Sequence, residues 1–103
     1  MMERTTELEK RIREQIYEFF SDQCDVDISE LKDDMDVITD LGGDSLMFLQ
    51  LLSSWEKEYK IGIEFRVIGK YMTKNPVNTI GKTVELALFI LCDTEKFLEL
   101  AGK

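Results

Sequence analysis

Apolar side chains recur at intervals of three and four residues in four separate segments of the chain. This spacing places them on one face of an α-helix, so it predicts helices over residues 4–20, 45–60 and 65–74, and a fourth from residue 80 onward. The apolar stretch at residues 61–63 has no second strand to pair with and is predicted to be a turn. The pattern predicts an all-α fold, a small four-helix bundle with one long loop between its first two helices.

Each predicted helix has one apolar face that we expect to be buried. The expected inward residues are Leu8, Ile12, Ile16, Phe19 and Phe20; Phe48, Leu51, Leu52, Trp55 and Tyr59; Phe65, Ile68 and Met72; and Ile80, Val84, Ala87, Leu88 and Leu91. Pro76 predicts the end of the third helix, because the residue before a proline is pushed away from helical geometry. Thr79 is a suitable N-cap for the fourth helix.

The end of the chain leaves two possibilities open. Either the fourth helix continues, or Asp93 or Thr94 begins a last amphipathic helix. The apolar residues of this segment are Phe97, Leu98 and Leu100. In either case we expect one domain over residues 1–103, with a core at about 8–90 and a C-terminal extension at about 91–103.

Residues 21–43 lack helical periodicity and carry eight carboxylates against one lysine. A connection of this length inside a compact domain is unusual and is often functional. Its scattered apolar residues predict a loop that packs onto the core: Val26, Ile28, Leu31, Met35, Val37, Ile38 and Leu41. The aspartates have partial EF-hand spacing, but Glu30 stands where that motif needs glycine and the final glutamate is missing. No metal site is predicted.

The overall charge and the scarce residue types exclude several functions. A net charge of −8 disfavours nucleic acid and anionic lipid and favours basic protein surfaces. The chain has no histidine, which excludes a Ser-His-Asp triad and the commonest zinc ligand. The apolar run at residues 86–92 is too short to span a membrane. Cys24 and Cys92 are far apart in sequence and predict reduced thiols in a cytoplasmic protein.

The most informative stretch is Asp40-Leu41-Gly42-Gly43-Asp44-Ser45-Leu46. The two glycines break the chain, and Asp44 is suited to cap the helix that begins at Ser45. The Ser45 hydroxyl should face solvent beside free backbone N–H groups and the positive end of the helix dipole. A phosphate on this oxygen would be well tolerated, whereas no histidine can activate the serine as a nucleophile.

This stretch resembles the attachment signature of acyl and peptidyl carrier proteins, Asp-Leu-Gly-x-Asp-Ser-Leu, and the helix order from about residue 8 to 90 is similar too. The resemblance implies a non-enzymatic, monomeric carrier. It implies that a phosphopantetheinyl transferase moves 4′-phosphopantetheine from coenzyme A to Ser45, with Asp44 beside it. The arm would hold an acyl group as a thioester, sheltered between the second and third helices. Partners would be acyl-transferring or condensing enzymes of fatty acid, polyketide or specialised lipid synthesis.

Two features differ from the family pattern. Fatty-acid carriers usually present acidic residues beside the serine, where this chain has Met47 and Gln50. With Leu46, these residues are expected to form a docking face for a less basic, more apolar partner, unless the face has no role. The third helix has a basic stripe of Arg66, Lys70 and Lys74, which predicts a solvated face, pairing with the acidic loop, or repulsion of other partners.

Parts of the sequence also suggest three rival functions. The residues 43–46 also match a lipase and esterase signature, but that family needs a histidine and an α/β sheet, so it is rejected. A peptidyl or aminoacyl carrier of the same fold remains open, because two glycines before the aspartate are also common there. A helical interaction module without a prosthetic group is the alternative from a different class.

Overall fold

The computed structural model describes residues 3–102, and of Ser45 it describes the backbone only. In this part of the chain there are five α-helices and one short 3₁₀ turn, and no strand. They are α1 (Thr6–Cys24), the 3₁₀ turn (Ile28–Glu30), α2 (Ser45–Tyr59), α3 (Phe65–Lys74), α4 (Ile80–Cys92) and α5 (Thr94–Ala101). The predicted all-α bundle with a long first loop is confirmed. The end of the chain forms a separate fifth helix.

Local side-chain chemistry sets most of the helix boundaries. Thr5, Asp44 and Thr79 each accept a hydrogen bond from the backbone N–H three residues later, which satisfies one of the free donors of a helix start. The third helix ends at Lys74, directly before Asn75 and the proline, as predicted. The first helix extends to Cys24, beyond its predicted end at residue 20, and stops at Asp25 in the left-handed conformation (φ 54°).

The core lies around α4, which packs against α1 on one side and α5 on the other. All five of its predicted inward residues are buried. Because helices cover both sides, Thr83, Leu86 and Ile90 are buried as well. The predicted stripe of α1 is also buried, apart from the half-buried Phe19.

For one residue of α3, the prediction of burial in the core is wrong. Phe65 is exposed, whereas Ile68 is buried and Met72 is partly buried against the core. Phe65 is the first residue of α3 and follows the exposed N-cap Glu64. A place on the apolar stripe was therefore not sufficient to bury Phe65 at the start of α3.

A cluster of three aromatic rings holds α5 in place. Phe97 has no solvent exposure, and its ring centroid lies 4.9 Å from that of Tyr71 on α3 and 5.7 Å from that of Phe89 on α4. Tyr71 and Phe89 complete the triangle at 5.9 Å. Edge-to-face and tilted arrangements of this kind add to the free energy of simple burial. The extension is thus packed into the bundle rather than attached as a tail.

The long loop is pinned to the core, but by fewer residues than predicted. Leu31, Val37 and Leu41 are buried, whereas Ile28 and Ile38 are exposed, which corrects the prediction for these two. Ile28 begins the 3₁₀ turn, and Ile38 begins the turn that the bond from the Gly42 N–H to the Ile38 carbonyl closes.

Polar contacts fix the loop further. Arg13 and Tyr17 of α1 both donate to the carboxylate of Asp33, and the Gly81 N–H donates to its carbonyl at 2.9 Å. Burial alone would raise the pKa of Asp33, but the bonds from Tyr17 and Arg13 outweigh it and lower the value. The loop is therefore joined to both α1 and the start of α4.

The findings on membrane spans, metal ligands and cysteines apply to the described residues only. Within residues 3–102 no helix is long and apolar enough to cross a membrane. The same range holds no group of three or more side chains suited to bind a metal ion. Cys24 and Cys92 are free thiols, each half-buried.

Candidate functional site

The turn at residues 36–43 sets the position of the α2 start. The Gly42 N–H donates to the Ile38 carbonyl at 3.1 Å, and the Gly43 N–H donates to the Val37 carbonyl at 2.8 Å. Val37 in turn donates to the Asn78 carbonyl at 2.9 Å. The segment before Ser45 is therefore a closed turn fastened to the connection between α3 and α4, and not a free linker.

Asp36 organises this turn. Its Oδ1 accepts the backbone N–H groups of Ile38 and Thr39, both at 2.9 Å, and its Oδ2 accepts the Asn78 side-chain amide at 3.2 Å. The bond from Thr39 contributes most to lowering the pKa of the Asp36 carboxyl, because it stabilises the ionised form. An isolated antiparallel bridge between Asp36 and Thr79 lies beside these bonds.

The two glycines are needed for different reasons. Gly42 has φ 74°, a left-handed conformation that glycine adopts without strain, and a Cβ there would meet no atom within 4 Å. A Cβ on Gly43 would lie 2.6 Å from Met47 Sδ and 3.0 Å from the Val37 carbonyl oxygen. Gly42 is required by backbone conformation and Gly43 by close packing.

Asp44 and Ser45 begin α2 as the sequence predicts. The Asp44 side chain is exposed, and its Oδ1 accepts the Met47 N–H at 3.2 Å. Ser45 is the first helical residue, while the predicted exposure of its hydroxyl lies outside the described atoms. The first N–H groups of a helix lack partners inside it, and they carry the positive end of the dipole. The position therefore suits an anionic group such as a phosphate.

The predicted outward position of Met47 is wrong. Its side chain is only 8% exposed and packs beneath the turn against Gly43, because that turn covers the first turn of α2. Met47, Leu51 and Trp55, spaced by four residues, continue the buried face to the start of the helix.

The outward face at the start of α2 is apolar. Leu46 is 57% exposed and Leu49 is 49% exposed, and Gln50 is exposed as predicted. Leu49 was missed in the sequence because it lies beside the predicted inward stripe; its spacing of three residues from Leu46 is the signal that pairs them. Leu46 and Leu49 therefore form one exposed apolar pair at the start of α2.

The basic stripe on α3 is mainly solvated. Arg66 pairs with Glu64, directly before the helix, and not with the acidic loop. Lys70 and Lys74 are exposed, and neither forms an ion pair with any residue from 3 to 102. Pairing of the stripe with the loop is therefore not found in the described part of the chain.

Comparisons with known proteins agree with this geometry. A family profile described as "Phosphopantetheine attachment site" matches residues 14–85. A protein named "Acyl carrier protein homolog" from Clostridium acetobutylicum is 42% identical over 103 residues, which covers 100% of this chain and 99% of that protein. "Polyketide-8 synthase acyl carrier protein 2" from Streptomyces avermitilis is 44% identical over 57 residues, or 55% of this chain and 62% of that protein. No solved structure matches the chain.

Proposed function

This chain belongs to the carrier protein family that has a phosphopantetheine attachment site, and we propose that it carries acyl groups on an arm attached to Ser45. Family membership makes it a non-catalytic carrier whose prosthetic group is 4′-phosphopantetheine. Which residue holds the arm, which cargo it bears and which enzymes it serves are our proposals.

The observation that carries the choice of Ser45 is its place in the chain. It is the first residue of α2 and directly follows a turn that is fixed to the bundle. Backbone hydrogen bonds, the two glycines and the Asp44 cap hold this turn in place. An attachment point on such a rigid base keeps the start of the arm in one position, while the arm itself remains free to move. The exposed Asp44 carboxylate lies next to it in sequence, where a modifying enzyme can recognise it.

The residues of this start fit the phosphate of the arm. A phosphodiester on a serine at the first position of a helix lies beside partnerless N–H groups and the positive dipole end, which stabilise negative charge. The chain contains no histidine to deprotonate the serine, so a transferase has to supply the base. When bound, the group supplies a terminal thiol that forms a thioester with the cargo.

The face beside Ser45 supports a partner with an apolar contact surface. Leu46 and Leu49 together present two large exposed side chains, and Gln50 adds a neutral polar group in place of a carboxylate. We propose that Leu46, Leu49 and Gln50 contact the partner enzymes, with Met47 acting only beneath them in the core.

The cargo, pathway and location complete the proposal. Both relatives are named acyl carrier proteins, which supports an acyl rather than an aminoacyl cargo. We infer a monomer that serves a phosphopantetheinyl transferase and acyl-transferring or condensing enzymes of fatty acid, polyketide or specialised lipid synthesis. The two free thiols support a cytoplasmic location.

Mass spectrometry of the intact protein tests the attachment residue. Incubation with coenzyme A and a broad-specificity transferase should add the mass of one phosphopantetheine group. Ser45→Ala should gain nothing, whereas Ser54→Ala, which removes an exposed serine further along α2, should gain the full mass. An equal gain in Ser45→Ala would place the arm elsewhere. No gain in any variant would support an interaction module without a prosthetic group.

Charging of the loaded protein tests the cargo. An acyl-carrier synthetase should load a fatty acid onto the holo protein, and an adenylation enzyme should not load an amino acid. The reverse result would make it an aminoacyl carrier.

The same loading assay tests the proposed partner contact at Leu49. Loading should be weaker for Leu49→Arg, whereas the control Lys57→Ala, at an exposed site further along α2, should load as wild type.

A further inference from the structure

An open cavity of about 570 Å³ lies at the junction of α3, α4 and α5, with Arg4 from the chain start at its edge. Its apolar wall includes Tyr71, Val77, Leu86 and Phe89. Among the side chains that the structure describes, none from α2 lines this cavity. It is therefore distinct from the exposed face at the start of α2 and from the space between α2 and α3 that the family resemblance implies for cargo. Its volume lies in the range of about 300–1,000 Å³ typical of small-molecule sites.

The charges at this cavity differ from those of the protein as a whole. Residues 65–103 carry six basic and four acidic side chains, whereas residues 1–64 carry seven basic and 17 acidic ones. At the cavity, Arg4 pairs with Glu85 at 3.2 Å. Lys82 and Lys96 also line it, and neither pairs with a carboxylate among residues 3–102. Asp93 is the remaining acidic group of the lining.

Lys82 has a defined position at the cavity edge. Its Nζ donates to the Asn78 side-chain carbonyl at 3.3 Å, a neutral partner that leaves the ammonium charge uncompensated. Lys96 lines the cavity from α5. The neighbouring residue, Phe97, anchors this helix through its ring contacts with Tyr71 and Phe89. Two ammonium groups thus stand at the edge of an apolar, partly aromatic wall, with one carboxylate, Asp93, to balance them.

We propose that this cavity binds an amphipathic monoanion, a carboxylate joined to a compact aromatic or short alkyl body. The apolar body would displace water from the wall, and Tyr71 and Phe89 offer ring faces and edges to it. The carboxylate would accept charge-assisted hydrogen bonds from the lysines. A polyanion fits poorly, because the lining carries three basic against two acidic side chains, a net charge of only +1. This site is independent of Ser45 and of the proposed carrier function.

The chain contains its own reporter for occupancy. Cys92 lines the cavity and Cys24 does not, yet both are half-buried free thiols. Burial raises the pKa of both thiols, which keeps each mainly in the protonated form. The rate at each cysteine is therefore compared with and without ligand. A ligand in the cavity should therefore slow the alkylation of Cys92 and leave that of Cys24 unchanged.

The experiment uses the full chain and two matched probes, 3-phenylpropionate and its neutral amide. N-ethylmaleimide labelling followed by peptide mass analysis gives the rate at each cysteine. We expect the carboxylate to slow Cys92 alkylation at least about threefold, with half the effect at about 1 mM, the affinity expected for so few atoms. The amide should need several-fold higher concentration. The Ser45→Ala variant should behave as wild type, which separates this site from the carrier function.

Lysine variants test the anion preference. Lys82→Met with Lys96→Met should remove the difference between carboxylate and amide. Lys70→Met with Lys74→Met, which removes two exposed lysines outside the cavity lining, should preserve it. Equal protection by both probes in wild type, or equal protection of both cysteines, would overturn the proposal. Amide-resolved NMR titration provides a second measurement: the largest shifts should map to α4 and α5, and shifts confined to α2 would also overturn it.

Discussion

Removal of the Phe97 side chain tests whether the last helix belongs to the folding unit. Phe97→Ala deletes a ring with no solvent exposure that contacts Tyr71 and Phe89. The residue lies in α5, beyond the core of about 8–90 that the sequence predicts. We propose that residues 91–103 are part of one cooperative domain, so damage at Phe97 should destabilise the whole bundle.

The magnitude follows from burial and packing. Truncation of a fully buried phenylalanine to alanine costs about 3–5 kcal/mol, and the loss of two ring pairs at 4.9 Å and 5.7 Å favours the upper half of that range. A domain of this size has a free energy of unfolding of about 5–15 kcal/mol. The variant should therefore lose between about a quarter and all of the free energy of unfolding. Its urea midpoint should fall in proportion, with an unchanged slope m.

Urea unfolding followed by Trp55 fluorescence provides the assay. Trp55 is the only tryptophan, is buried and lies on α2, a different helix from the substitution in α5. Leu98→Ala is the matched control: its side chain lies next in the same helix but is 44% exposed, so its removal should cost less than about 1 kcal/mol. If Phe97→Ala leaves the Trp55 transition within 1 kcal/mol of wild type, α5 is not part of the cooperative unit and the reasoning is refuted.

Two further predictions concern the turn before α2. Gly43→Ala should cost about 1–3 kcal/mol in urea unfolding, because its Cβ would meet Met47 Sδ and the Val37 carbonyl. In the double variant with Met47→Ala, the loss of unfolding free energy should be smaller than the sum of the losses in the two single variants, because the clash is removed. A loss equal to that sum would contradict the packing explanation. Asp36 has a lowered pKa in the folded state, so its contribution is complete above the ordinary aspartate value of about 3.9 and is lost as the pH falls through the lower folded value. Urea unfolding across acid pH should therefore lose less stability in Asp36→Asn than in wild type; parallel losses in both would show that the Asp36 bonds do not contribute.

Local patterns in the sequence were sufficient to identify the first four helices and the start of the candidate site, but they left the fifth helix open. Helix starts at Asp44 and Thr79, and the helix end before Pro76, depend on groups within four residues of one another. Apolar spacing identified the faces of α1 and α4 for the same reason, since side chains three and four residues apart share a face wherever the helix lies. The motif around Ser45 could be read from seven consecutive residues.

Long-range packing decided what spacing could not. Met47 is buried because its side chain packs against Gly43, whose N–H is bonded to the carbonyl of Val37, ten residues before Met47. Phe65 is exposed although it lies on the apolar stripe of α3. Helical spacing shows which residues share a face but not which other segments cover that face, so it could not predict either result.

The attachment site and its surroundings also differ in how far the sequence predicts them. The sequence alone determined that a serine follows two glycines and an aspartate at a helix start. Three features depend on the tertiary structure: Leu49 joins Leu46 on the exposed face, α5 packs through Phe97, and α3, α4 and α5 line an open cavity. Each of these depends on which helices meet, and that is set by the joint burial of apolar surface from distant parts of the chain.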